Sequence, residues 1–149
     1  MGDQIISAGS WPRPLPGWRV LYHTTHQQVD VSNIALLSIW SQPATYKDVA
    51  AAEEAEATTF VNARVAEQLV QHQSVPAEWD ELEIVFAGTT FWSHKPDYHG
   101  RRVVHYIRQD RNGVWKLEQV DLESALTAVV RGERQVRFAA LPPTVATVH

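Results

Sequence analysis

The densest group of chemistry-bearing side chains runs Ser93-His94-Lys95-Pro96-Asp97-Tyr98-His99-Gly100-Arg101-Arg102, with His105 just beyond. An imidazole titrates near neutral pH and moves protons. A guanidinium holds a phosphate or carboxylate with two parallel hydrogen bonds. The group therefore suggests His94 or His99 as acid and base, Asp97 or Tyr98 as the orienting partner, and Arg101 and Arg102 as an anion clamp. With Lys95 and Arg108 the clamp widens into a basic hairpin over 95–116 that would take a small anionic ligand or nucleic acid. The competing reading is a hydrated, charged loop between two strands, its path set by Pro96 and Gly100. That reading carries more weight, because no second catalytic constellation supports a hydrolase or lyase built on His94, Asp97 and His99.

Other chemistries lack their residues. The chain has no cysteine, which removes thiol nucleophiles, disulfides and Cys-ligated metals. It has no phosphate-binding loop, no Gly-x-Gly-x-x-Gly, no Gly-x-Ser-x-Gly and no His-Glu-x-x-His. His23-Thr24-Thr25-His26 brings two imidazoles close in sequence. On a strand, however, positions three apart point to opposite faces, so no metal site is expected there. No cofactor is implied, and no motif ties the chain to a known family.

The elements that must position these residues follow from periodicity. At 149 residues, with 44% hydrophobic and 20% charged, the chain is long enough for one domain with its own core. Trp18 to Thr24 reads as a strand, and Ile34 to Trp40, a short apolar run after a polar connection, suits a buried strand better than a short helix capped by Asp30 or Ser32. Small residues at three- and four-residue spacing, from a start at Thr45-x-x-Asp48, predict one long helix over about 45–72. A meander around residues 82–120 follows, its last hairpin turning at Asp110-Arg111-Asn112-Gly113. A four-residue turn would set His105 opposite Glu118 and Arg108 opposite Trp115. Leu122, Ala125, Leu126, Val129 and Val130 predict a second helix over about 122–131, capped by Asp121, and Gln135–Leu141 a last strand. The sum is an α+β domain over 18–141: an antiparallel sheet packed on a long helix, with a proline-containing arm over 1–17 and a flexible tail over 142–149.

Composition points the function toward surfaces. The net charge of −4 conceals a split, with 4 basic and 11 acidic side chains in residues 1–93 against 9 and 6 in residues 94–149. Such a bipolar chain suits head-to-tail association better than non-specific DNA binding. The six tryptophans exceed what a small core needs, and Trp11, Leu15 and Trp92 are the anchors expected to face a partner. The expectation is a cytoplasmic, non-catalytic interaction module that forms a homo-oligomer or joins a protein partner. It has no secretion signal and no run long enough to span a bilayer.

Overall fold

The structure, a computed structural model, describes residues 5–10, 12, 17–37, 53, 59–93, 102–131 and 135–141. The strands are β1 (Ile5–Ser7), β2 (Trp18–His23), β3 (Gln28–Asp30), β4 (Ala35–Leu37), β5 (Thr59–Phe60), β6 (Glu83–Ser93), β7 (Arg102–Gln109), β8 (Trp115–Asp121) and β9 (Val136–Leu141). The helices are α1 (Ala63–Gln71) and α2 (Leu122–Arg131). Neither is long and apolar enough to cross a membrane. The fold is α+β.

Seven strands form the main sheet. Its spine runs β4-β9-β6-β7-β8, with β2 added to β6 and β5 to β9, while β1 and β3 make a separate two-stranded ribbon. The meander β6-β7-β8 is antiparallel as its short connections require. The sheet is nonetheless mixed, because β9 lies parallel to β6, pairing Glu83 with Val136 and Val85 with Phe138. The crossover through β7, β8 and α2 is long enough to return the chain in the same direction.

Alternation along β6 and β7 splits the core between two faces. Ile84, Phe86 and Ile107 face α1 and the ribbon, packing with Val65, Ala66 and Leu69 and with Ile6 and Val29. Val85, Ala87 and Val104 face α2, packing with Leu122, Ala125 and Leu126. Two layers of different make-up thus cover one sheet.

The helix expected over 45–72 is not continuous. Thr59 and Phe60 are extended and pair with β9, Val61 N–H donates to the Ala139 carbonyl, and α1 starts only at Ala63. Asn62 sets the break. Its Oδ1 accepts from the N–H groups of Arg64 (3.1 Å) and Val65 (3.3 Å), the geometry of an N-cap. Its Nδ2 donates to the Ala8 and Thr24 carbonyls at 3.0 and 2.9 Å. Of residues 45–58, only Glu53 belongs to the described residues.

The proline-containing arm also begins inside the fold. Ile6 pairs with Val29, Ala8 N–H donates to the Gln27 carbonyl, and Ile6 and Ala8 are buried. Trp11 and residues 13–16, including Leu15, lie outside the described residues, as does 142–149.

The β7–β8 register differs from the expected one by one residue. Asp110 receives the Gly113 N–H at its carbonyl, and Val114 then closes the loop on Asp110 N–H, so five residues turn the chain. Gly113 occupies the left-handed region at φ 79°, which only glycine enters freely. Gln109 therefore faces Trp115, His105 faces Gln119, and Arg108 faces Lys116.

Candidate functional site

Of the residues singled out in the sequence, His94, Lys95, Asp97, His99 and Arg101 lie outside the described residues. Trp92 and Arg102 are paired neighbours at the ends of β6 and β7, both half-buried, so Trp92 sits in a strand rather than in a loop. Trp79 and Trp115 are core residues.

Arg108 is committed to a carboxylate. Its Nε and Nη2 grip Glu118 Oε2 and Oε1 at 2.9 and 2.7 Å, and Tyr106 donates its hydroxyl to the same Oε2 at 2.7 Å. The shifted register creates this arrangement, because Glu118 is the direct neighbour of Tyr106 and the diagonal neighbour of Arg108. The Arg108 guanidinium, and then the Tyr106 hydroxyl, hold the Glu118 carboxyl below its usual range. Burial, then the hydrogen bond to Glu118, pushes the Tyr106 phenol up to about 12. Lys116 stands 4.0 Å from Asp110. Two cations of the expected anion surface thus already face carboxylates of their own chain.

Beside this triad a small open cleft lies between α2 and the sheet, lined by Glu83, Val85, Tyr106, Val120, Ala125, Ala128 and Val136.

On the opposite face the polar side chains go inward. Between Phe86, which faces His105, and Phe91, which faces Val103, β6 carries four residues against Val104 alone. This bulge turns the Thr89 side chain toward the start of α1. Thr89 Oγ1 accepts from Ala63 N–H at 2.9 Å and lies 2.8 Å from His23 Nδ1. The hydroxyl keeps both a proton and a second lone pair for His23, so the tautomer of the imidazole sets which of the two donates. Gly88 makes the bulge possible. Its N–H donates to the Val61 carbonyl at 2.9 Å, and a Cβ there would meet Phe60 O at 2.4 Å.

Burial lowers the pKa of His23, offset in part by the Ser10 backbone and the Glu67 charge. It lowers that of His26 too, against the Phe60 backbone. His105 is 2% exposed, its ring 4.7 Å from that of Phe91 and its Nδ1 3.1 Å from Gln119 Nε2. Burial brings it down to about 4. His26 and His105 are buried and His23 is half-buried, and burial favours the neutral form of each ring. Among the described residues, no three His, Asp or Glu side chains converge as a metal site.

The outer edge of β8 gave no signal in the sequence. Trp115 N–H donates to Gln73 Oε1 at 2.9 Å, and Gln73 Nε2 donates to the Trp115 carbonyl at 3.0 Å. Gln73 closes α1 in a left-handed conformation, φ 48°, with its N–H on Val70 O and Ser74 N–H on Leu69 O. Glycine usually fills that closing position. A glutamine there accepts backbone strain and in return brings its amide to β8. Strand β8 ends the spine of the sheet, and no described residue pairs with the outward backbone groups of Leu117 and Gln119. No family model, no curated protein and no solved structure matches this chain.

Proposed function

We propose that the chain is a non-catalytic interaction module and that a second copy of it docks along the outer edge of β8. The observation that supports this reading is the Gln73 amide on Trp115. It supplies one donor and one acceptor to one residue of the edge, as an added strand does along its length. It also fixes the parity of the strand. Alternate residues of an antiparallel strand address opposite neighbours, so Leu117 and Gln119 turn their N–H and C=O the same way as Trp115. Lys116, Glu118 and Val120 turn theirs toward Arg108, Tyr106 and Val104 of β7.

Charge selects a register. Placing Gln119 opposite its own copy pairs Leu117 with Asp121 and Glu118 with Val120. It keeps Gln73 on Trp115 and brings no like charges face to face. A shift by one would oppose the two Glu118 carboxylates, which is unfavourable. Such a two-fold strand pairing is isologous and closes on itself, so it yields a dimer rather than a fibre.

The test is mass measurement by light scattering from micromolar to millimolar protein, at low and high salt, for the wild type and Gln119→Pro. Proline removes the outward N–H of residue 119 and leaves the inner ladder donors in place. The wild type should reach dimer mass and the variant should stay monomeric with an unchanged circular dichroism spectrum. A wild type that is monomeric throughout, or a variant that dimerises equally well, contradicts the reading.

A further inference from the structure

We infer that, where two copies dock along β8 as proposed above, Gln73 sets their register and holds Gln119, not Leu117, at the two-fold axis. The residue lies outside the strand it controls. Its amide is fully engaged: Oε1 accepts from Trp115 N–H at 2.9 Å, and Nε2 donates to the Trp115 and Val70 carbonyls at 3.0 and 2.7 Å. Opposed residues of a hydrogen-bonded antiparallel pair exchange the same two bonds that Gln73 exchanges with Trp115. The Gln73 side chain therefore stands where the backbone of a docked strand would stand, and Trp115 is closed to pairing.

That closure separates two registers of equal parity. With Gln119 opposite its own copy, the outward residues in use are Leu117, Gln119 and Asp121, and Trp115 would lie opposite Glu123, which already belongs to α2. With Leu117 opposite its own copy, Trp115 must pair with Gln119 of the second chain. Lys116 of each chain then comes beside Glu118 of the other, two opposite-charge pairs. Charge alone does not reject this second register and even favours it. Gln73 rejects it, because pairing there would strip the glutamine of its bonds to Trp115 or leave the arriving backbone groups unpaired. Glycine would close α1 at φ 48° without strain, so the amide is what a glutamine adds at this position.

A nitroxide carried on Val114→Cys reads the register. Val114 is 38% exposed and precedes β8, and the natural chain has no cysteine to compete for the label. The label sits five residues from the axis in the Gln119 register and three in the Leu117 register. At about 3.4 Å per residue, the two labels of a dimer are about 34 Å apart in the first and about 20 Å in the second. Pulsed electron double resonance should give the longer distance with Gln73 present and the shorter one once Gln73→Gly is added. Adding Lys116→Glu to that variant should restore the longer distance, since like charges would then meet at Glu118. Circular dichroism reports whether each variant folds. If Gln73→Gly does not fold, Gln73→Asn takes its place, because asparagine also enters the left-handed region and its shorter arm falls short of Trp115. The shorter distance with Gln73 present, the longer one without it, or no return on adding Lys116→Glu overturns the assignment and leaves docking intact. Labels that find no partner in any variant contradict docking itself, and the assignment falls with it.

Discussion

Protonation of His105 should cost the folded protein stability in a defined pH window. The ring is 2% exposed against Phe91, and the Gln119 amide donates to its Nδ1, an interaction only the neutral imidazole accepts. Its pKa falls from 6.5 to about 4 in the folded chain, chiefly through burial. Because the folded value is the lower one, the unfolded chain binds a proton between those limits that the folded chain refuses. Stability therefore declines as pH drops below 6.5, and the loss is complete near pH 4. At about 1.4 kcal/mol per unit, the His105 share is about 3 kcal/mol. His23 and His26, also lowered by burial, act in the same direction. Comparison with His105→Gln isolates the one ring, since all other groups titrate in both proteins. Urea unfolding at pH 7, 6, 5 and 4 gives the two stability curves. The difference between them should move by about 3 kcal/mol in favour of the variant from pH 7 to pH 4. Parallel curves would refute the reasoning.

Three substitutions test the packing in other ways. Thr89→Val keeps the shape but deletes the oxygen that Ala63 N–H and His23 share, and thermal unfolding should register a loss of about 1–3 kcal/mol for each buried group left unpaired. Gly88→Ala drives a Cβ against the Phe60 carbonyl oxygen, a backbone atom that cannot swing away, and should cost about 3 kcal/mol or more in the same assay. Arg108→Ala breaks a pair whose side chains are 40% and 35% exposed. Solvent screens such a pair, so chemical denaturation should give a midpoint close to that of the wild type despite the two-pronged geometry.

The fold was legible wherever the signal is local. The strands around Trp18, Ile84 and Val104, the helix from Leu122 and the cap at Asp121 follow from residue type and spacing, and Asp121 Oδ1 indeed accepts from the Glu123 N–H at 3.4 Å. What the sequence concealed depends on distant partners. Ala63 and Ala66 continue a small-residue rhythm that starts before residue 59, and that rhythm masks the one local mark of the break, the N-cap Asn62. Thr59–Phe60 is a strand because β9 and the Gly88 bulge receive it. The stretch Ala87–Thr90 reads as uninterrupted strand, and only its pairing with β7 exposes the bulge. In the hairpin, Asn112-Gly113 located the turn but not its length, and that single residue exchanged the expected Arg108–Trp115 contact for the Arg108–Glu118 grip. Gln73 looked like any polar residue after a helix. Its positive φ was the missing signal, and φ is not written in the sequence.

Amide hydrogen exchange at Leu117 and Gln119, measured at micromolar and millimolar protein, tests the docking edge most directly. Dimerisation through β8 predicts that these two amides exchange fast when dilute and become protected when concentrated, while the Trp115 amide, held by Gln73, changes little. Fast exchange at both residues, independent of concentration, would contradict it.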